Sequence, residues 1–119
     1  MFQAILADLA ARVGGIRWAM VAGEDGVLLE CYCSDDPPEA DSLAAEYAAI
    51  LRACRKVAGQ TACGHPKAIT LAAEKGRLLL QVLTPEYFLL IYLDSSALAG
   101  KAQFEITRAR ESIIGELAY

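Results

Sequence analysis

Hydrophobic positions change their spacing along the chain, and each change marks a predicted helix or strand. The first thirteen residues carry apolar side chains at helical spacing, and Gly14-Gly15 ends that helix. Residues 16–22 and 27–33 are strand-like, and the turn between them contains Asp25-Gly26, a dipeptide typical of hairpins. The pattern therefore predicts a helix followed by a β-hairpin.

The remaining pattern predicts one long helix, three strands and a last helix. The long helix follows an exposed loop at 34–38 and is expected at about 39–62, and the strands at 67–73, 77–83 and 88–93. Asp94-Ser95-Ser96 is expected to cap the last helix, which runs nearly to Tyr119. Six apolar residues are expected on its buried side: Leu98, Phe104, Ile106, Ala109, Ile113 and Leu117.

The order αββαβββα indicates an α+β fold in a single domain, residues 1–119. Because the connections between neighbouring strands are short, we expect a five-stranded antiparallel sheet with helices on both faces. Residues 88–93 are apolar on both faces, so this strand is expected in the middle of the sheet.

Composition excludes several classes of function. The 119 residues are 55% hydrophobic and carry a net charge of −4, so no basic excess exists for binding nucleic acid. A secretory signal and a membrane-spanning run are not expected, which favours a cytoplasmic protein that does not insert into membranes. No nucleotide-binding or hydrolase motif occurs, so we expect neither an enzyme nor a cofactor.

Sulfur chemistry is the main alternative. The chain has four cysteines and a single histidine, namely Cys31, Cys33, Cys54, Cys63 and His65. Four thiols and an imidazole could bind zinc, but their spacing matches no paired metal motif. The favoured interpretation is no metal site, and a cysteine-based metal or thiol sensor stays the less favoured one.

The long helix has an apolar arc wider than one sheet face covers. One stripe is expected to lie on the sheet: Leu43, Tyr47, Ile50, Cys54, Val57 and Thr61. A neighbouring stripe is formed by Ala44, Ala48, Leu51 and Arg55. This second stripe is either a contact surface for another chain, as in a dimer, or a consequence of composition. The chain contains 22 alanines, and alanine is a good helix former.

The strand after the long helix sharpens the dimer interpretation. Residues 67–73 contain no proline, and Ile69 and Leu71 are apolar. If this strand is at the sheet edge, pairing with its own copy would satisfy its open backbone groups and bring the two long helices together.

These elements resemble the roadblock family of dynein light chains and its bacterial MglB-like relatives. The resemblance spans nearly the whole chain and is most specific in the hairpin 18–30, with further matches in the strands 76–82 and 87–93. It implies a roadblock/profilin-like fold and a homodimer with a continuous ten-stranded sheet. It also implies a non-enzymatic adaptor that binds and regulates a small Ras-like GTPase.

The resemblance also implies site residues. Carried over to this chain, the dimer interface comprises Ala44, Ala48, Leu51, Arg55, Ile69 and Leu71, and the candidates for partner contacts are Arg52, Arg55 and Lys56. Two further alternatives stay open. One is a scaffold without effect on GTP hydrolysis, and the other is a profilin- or longin-like domain that shares only the layout.

Overall fold

The computed structural model describes residues 2–34 and 38–117, in which the predicted element order is confirmed. Asp35, Asp36 and Pro37 of the predicted loop lie outside the described residues. The elements are α1 (Phe2–Arg12), β1 (Ile16–Gly23), β2 (Leu28–Cys33), α2 (Ala40–Gln60), β3 (Ala68–Ala73), β4 (Gly76–Thr84), β5 (Tyr87–Asp94) and α3 (Ala99–Leu117).

The five strands form one antiparallel sheet in the order β2-β1-β5-β4-β3. β5 is the middle strand, as its two apolar faces predict. Successive side chains of a strand point to opposite faces, so Phe88 and Leu90 enter one core while Leu89 and Ile91 enter the other. All four are completely buried, which confirms that helices cover both faces.

The two cores differ in the helices that close them. α1 and α3 lie side by side on one face, where Leu6, Leu9 and Ile106 pack against β1 and β5. Among the described helices, α2 alone covers the other face, and it packs chiefly against β1 and β2. One helix cannot cover a face five strands wide, because strands are about 4.8 Å apart and a helix is about 10 Å across.

The predicted buried side of α3 is partly wrong. Leu98 precedes the helix and is 71% exposed, and Phe104 is 63% exposed. The buried positions are Ala102, Glu105, Ile106, Ala109 and Ile113. At 100° per residue, Phe104 lies 200° from Ala102 and therefore faces away from the sheet.

Asp94 does not cap α3 as predicted. Its Oδ1 accepts hydrogen bonds from the Ser96 hydroxyl at 2.5 Å and the Ser96 amide at 2.9 Å, which closes a turn before the helix begins at Ala99. The hydrogen bonds from Ser96 hold the pKa of the Asp94 carboxyl below its usual value, with a smaller effect from Arg17.

Candidate interaction surface

The face of α2 that lies on the sheet is the one predicted for a partner. Ala44, Ala48 and Leu51 are at most 1% exposed and belong to the core beneath α2. Ile50 and Val57, which were expected on the sheet, are 39% and 58% exposed. The assignment of the first stripe was therefore wrong for Ile50 and Val57, whereas Tyr47 lies in the core beneath α2 and Leu43 packs against it, as predicted.

Close approach is visible where α2 crosses the β1–β2 turn. A Cβ placed on Gly26 would lie 3.2 Å from Cα of Ala45 and 3.9 Å from Cβ of Ala48. A larger side chain at Gly26 or at the buried Ala48 would push the helix away. Since Ala44, Ala48 and Leu51 have almost no exposed surface in the single chain, they have none to contribute to a second chain.

The outward side of α2 carries a short apolar stripe instead. Ile50, the half-buried Cys54 and Val57 follow one another at helical spacing and form what we call the outer α2 face. Of the stripe expected on the sheet, only Tyr47 is buried. An exposed isoleucine and valine on one face of a helix mark a surface that another protein can cover.

β3 is an open edge of the sheet, as the sequence suggested. Among the described strands it pairs with β4 alone. It contains neither proline nor charge, and Leu71 is 52% exposed. Nothing on the strand itself blocks a further strand from pairing with it.

An apolar groove lies beside this edge on the α2 side of the sheet. Trp18, Leu71, Leu78 and Tyr92 contribute to a concave surface of about 300 Å³, and the Trp18 and Tyr92 ring centres are 5.9 Å apart. The groove is open because α2 lies towards β1 and β2 and leaves the β3 half of this face uncovered.

The opposite edge of the sheet is protected. α1 lies beside β2, and the side-chain amide of Gln3, with its nitrogen turned to the strand, donates at 3.1 Å to the Cys31 carbonyl and at 3.1 Å to the Glu30 carboxylate. A bulge between Val21 and Ala22 also interrupts the β1–β2 pairing. Of the two edges, β3 is therefore the one suited to pairing with another chain.

The two arginines predicted to contact a partner, Arg52 and Arg55, donate hydrogen bonds within the chain. Arg55 Nη1 lies 2.5 Å from Glu24 Oε2, and its Nη2 donates to the Pro85 carbonyl at 2.9 Å. Arg52 Nη1 donates to the Glu24 carbonyl at 3.1 Å. Lys56, which follows Arg55 in the sequence, is exposed. Both arginines therefore fasten α2 to the β1–β2 and β4–β5 turns.

Sequence reasoning did not identify Glu24 and Pro85 as partners of Arg55. Both lie in turns, which the sequence marks only as turns. It also missed the outer α2 face, although a signal was present. Ile50 and Val57 are β-branched and Ala44 and Ala48 are small, so the two apolar faces differ in the size of their side chains.

The cysteines form no metal cluster in the described part of the chain. All four are free thiols, and within residues 2–34 and 38–117 no group of three or more His, Cys, Asp or Glu side chains could hold a metal ion. Burial, with a contribution from Cys33, raises the pKa of the Cys31 thiol, which lowers its reactivity. Among the described helices, none is long and apolar enough to cross a bilayer.

Comparison with known proteins agrees with this geometry. The family model of the Roadblock/LC7 domain matches residues 3–93. The fold is similar to MglB of Myxococcus xanthus, with a TM-score of 0.91 at 14% identity, covering 98% of this chain and 94% of that one. It is also similar to a Roadblock/LC7 domain from Streptomyces avermitilis, with a TM-score of 0.89 at 18% identity and 98% coverage of both chains.

A profilin gives a weaker match. Profilin IB of Acanthamoeba castellanii has a TM-score of 0.69 at 12% identity, with 98% of both chains covered. The layout of sheet and helices is thus shared with profilin, while the detailed geometry is nearer to the two roadblock-type structures. A search of curated proteins by sequence found no match.

Proposed function

This chain belongs to the Roadblock/LC7 domain family, and we propose that it acts as a non-enzymatic homodimeric adaptor that binds and regulates a small Ras-like GTPase. The observation that carries the proposal is an open strand edge, β3, beside an apolar groove and an exposed apolar helix face. A second copy of the chain would cover all three. The proposal places the protein in the cytoplasm, with its partner.

The dimer interface in this proposal consists of β3, the groove and the outer α2 face. Ile69 and Leu71 keep their predicted place, whereas Ile50 and Val57 replace Ala44, Ala48 and Leu51. Pairing two β3 strands would satisfy their unpaired backbone groups. The same rotation would place the grooves of the two chains next to each other on the α2 side of the continuous sheet.

Symmetry limits the register of this pairing. If both α2 helices lie on the same face of a continuous sheet, residues directly opposite each other must point to the same face. With Thr70 on the two-fold axis, Ile69 lies opposite the partner's Leu71, and this apolar pair occurs twice. This register covers the whole of β3 and places no like charges opposite each other.

The neighbouring registers are less favourable. With Leu71 on the axis, Lys67 lies opposite the partner's Lys75, and this repulsion occurs twice. With Ile69 on the axis, Lys67 lies opposite the apolar side chain of the partner's Leu71, and Pro66, which has no amide hydrogen to donate, enters the ladder. We therefore propose Thr70 at the axis.

The proposed GTPase role is supported by family membership, and its mechanism by the intrachain hydrogen bonds of Arg52 and Arg55. Arg52 and Arg55 donate to carbonyls of their own chain, so neither is poised to enter the nucleotide site of another protein. Regulation would then act by stabilising a conformation of the GTPase, with exposed Lys56 contributing charge at the contact. A dimer that binds a GTPase without changing its turnover would be the scaffold alternative.

Two measurements, made one after the other, test the proposal. Sedimentation of the full chain at micromolar concentration should give a dimer, and a monomer would overturn the interface. Each Ras-like GTPase of the same cell is then tested for binding in its GTP state and for single-turnover hydrolysis. Binding with a changed rate supports a regulator, binding without one supports a scaffold, and no binding to any of them overturns the GTPase role.

A matched pair of variants ties the dimer to the named surface. Val57→Glu places a charge on the outer α2 face, and Phe104→Glu places one on a similarly exposed apolar residue of α3. We expect the first to sediment as a folded monomer and the second as a dimer. Loss of the dimer in both variants would show that the interface includes α3.

A further inference from the structure

A cleft separate from the proposed dimer groove opens where the end of β4 meets the segment leading into β3. Its volume is about 490 Å³, within the range of sites that hold small ligands or short peptide segments. Its walls include four basic side chains and two prolines: Arg55, His65, Lys67, Arg110, Pro66 and Pro85. The elements that bring them together are α2, the 65–67 segment, the β4–β5 turn and α3.

The charge of this cleft is opposite to that of the chain. The protein has a net charge of −4, and Arg12, Arg17, Arg55 and Arg108 each lie within 4.0 Å of a carboxylate. The one acidic residue in the described lining of the cleft is Glu24, which already pairs with Arg55. Over residues 2–34 and 38–117, no carboxylate lies within 4.0 Å of the basic groups of His65, Lys67 or Arg110.

Arg110 is the most constrained of these basic groups. It is half-buried, and its Nε donates to the Val82 carbonyl at 3.1 Å, which holds the guanidinium at the end of β4. Its two Nη groups make no hydrogen bond to any residue in the described ranges. A guanidinium held in place with free donors matches the two oxygens of a carboxylate, and its partial burial strengthens that interaction.

We propose that this cleft binds an acidic peptide segment of a partner protein, with a side-chain carboxylate on Arg110 and a second acidic group near Lys67. Pro66, Pro85 and the side chain of Val82 supply apolar contact for the peptide between its charges. The described lining holds no Phe, Tyr or Trp on which a base could stack, and the chain as a whole is acidic, so a nucleic acid is disfavoured.

The test is a titration of the full-length protein into a fluorescently labelled glutamate-rich peptide, followed by anisotropy. The same peptide with glutamine in place of every glutamate is the ligand control. Arg110→Gln and Lys67→Gln remove the proposed contacts, and Lys101→Gln makes the same change of charge on an exposed residue in the first turn of α3. Thermal melts of all variants check folding.

We expect the glutamate peptide to bind and the glutamine peptide not to bind. Arg110→Gln should weaken binding at least about tenfold, as expected for loss of a charge-assisted pair. Lys67→Gln should weaken it about two- to fivefold, the range for an exposed ion pair, with no effect of Lys101→Gln. Lys67 is exposed, so its variant gives an answer even if Arg110→Gln fails to fold.

Three results would overturn the proposal. The first is no binding of the glutamate peptide, and the second is equal weakening by Lys67→Gln and Lys101→Gln, which would show attraction by general charge. The third is complete displacement of the peptide by millimolar inorganic phosphate at constant ionic strength, which would indicate a site for a small free anion. No GTPase enters this measurement. Lys67 borders β3 and lies opposite the partner's Ala73 in the proposed dimer, so sedimentation of each variant distinguishes a loss of the dimer from a loss of peptide binding.

Discussion

The guanidinium of Arg55 lies 2.5 Å from the carboxylate of Glu24 and ties the middle of the long helix to the turn between β1 and β2. A second bond from Arg55 reaches the Pro85 carbonyl in the β4–β5 turn. One side chain therefore joins three segments that are far apart in the sequence. This contact holds α2 to the β1–β2 and β4–β5 turns.

We predict that Arg55→Ala lowers the free energy of unfolding by about 1–2 kcal/mol, because it removes an ion pair that is only partly exposed together with a hydrogen bond to a carbonyl. Urea unfolding at neutral pH measures the change. Lys56→Ala, at the next and exposed position of α2, should change it by no more than about 0.5 kcal/mol. Equal effects of the two substitutions would contradict a specific role for Arg55.

A charge on the inner face of α2 should unfold the chain, whereas a charge on its outer face should only separate subunits. Ala48 is 1% exposed and packs on the sheet, so Ala48→Glu should cost at least about 3 kcal/mol of unfolding free energy. Val57→Glu should not form the dimer, and its melting temperature should equal that of the unsubstituted chain diluted until it is a monomer. Circular dichroism and sedimentation distinguish the outcomes, and a well-folded Ala48→Glu monomer would argue against the burial of Ala48.

Crosslinking can locate the proposed two-fold axis. With Thr70 on the axis, the two Thr70→Cys residues of a dimer would have Cα atoms about 4.5–5.5 Å apart, close enough for a disulfide. Mild oxidation should therefore give a covalent dimer on a non-reducing gel. Ala72→Cys, on the same face of β3, would lie opposite the partner's Ala68 and should not crosslink. Crosslinking of Ala72→Cys alone would place the axis elsewhere.

The four native thiols should react at different rates with a maleimide at pH 7. Cys63 is exposed and should react first, while burial raises the pKa of Cys31 and leaves less thiolate, so Cys31 should be slowest. Its rate should rise with pH, because higher pH increases the thiolate fraction. Mass spectrometry of the partly labelled chain gives the order. Rapid reaction of Cys31 would reopen the thiol-sensor interpretation.

Local patterns accounted for the elements because their causes are local. Apolar spacing in α1, the Asp25-Gly26 turn and the apolar run of β5 each depend on a few neighbouring residues, and all three predictions are confirmed. The buried side of α3 was partly missed, because Leu98 and Phe104 are as apolar as true core residues. When a helix has apolar residues on several sides, hydrophobicity alone does not show which side faces the sheet.

By itself, the sequence determined the order of helices and strands, the antiparallel hairpins and the central position of β5. It also raised the possibility that β3 lies at the edge of the sheet. Only the tertiary structure decided that β1 pairs with β5, and that Ala44 and Ala48 lie against the sheet while Ile50 and Val57 face outward. It also brought Arg55 to Glu24, and Arg110 to a cleft whose one described carboxylate, that of Glu24, pairs with Arg55. The physical reason is that hairpins and helical periodicity arise from neighbours in the chain. The orientation of a helix and the surroundings of a charge depend on which distant segments pack together.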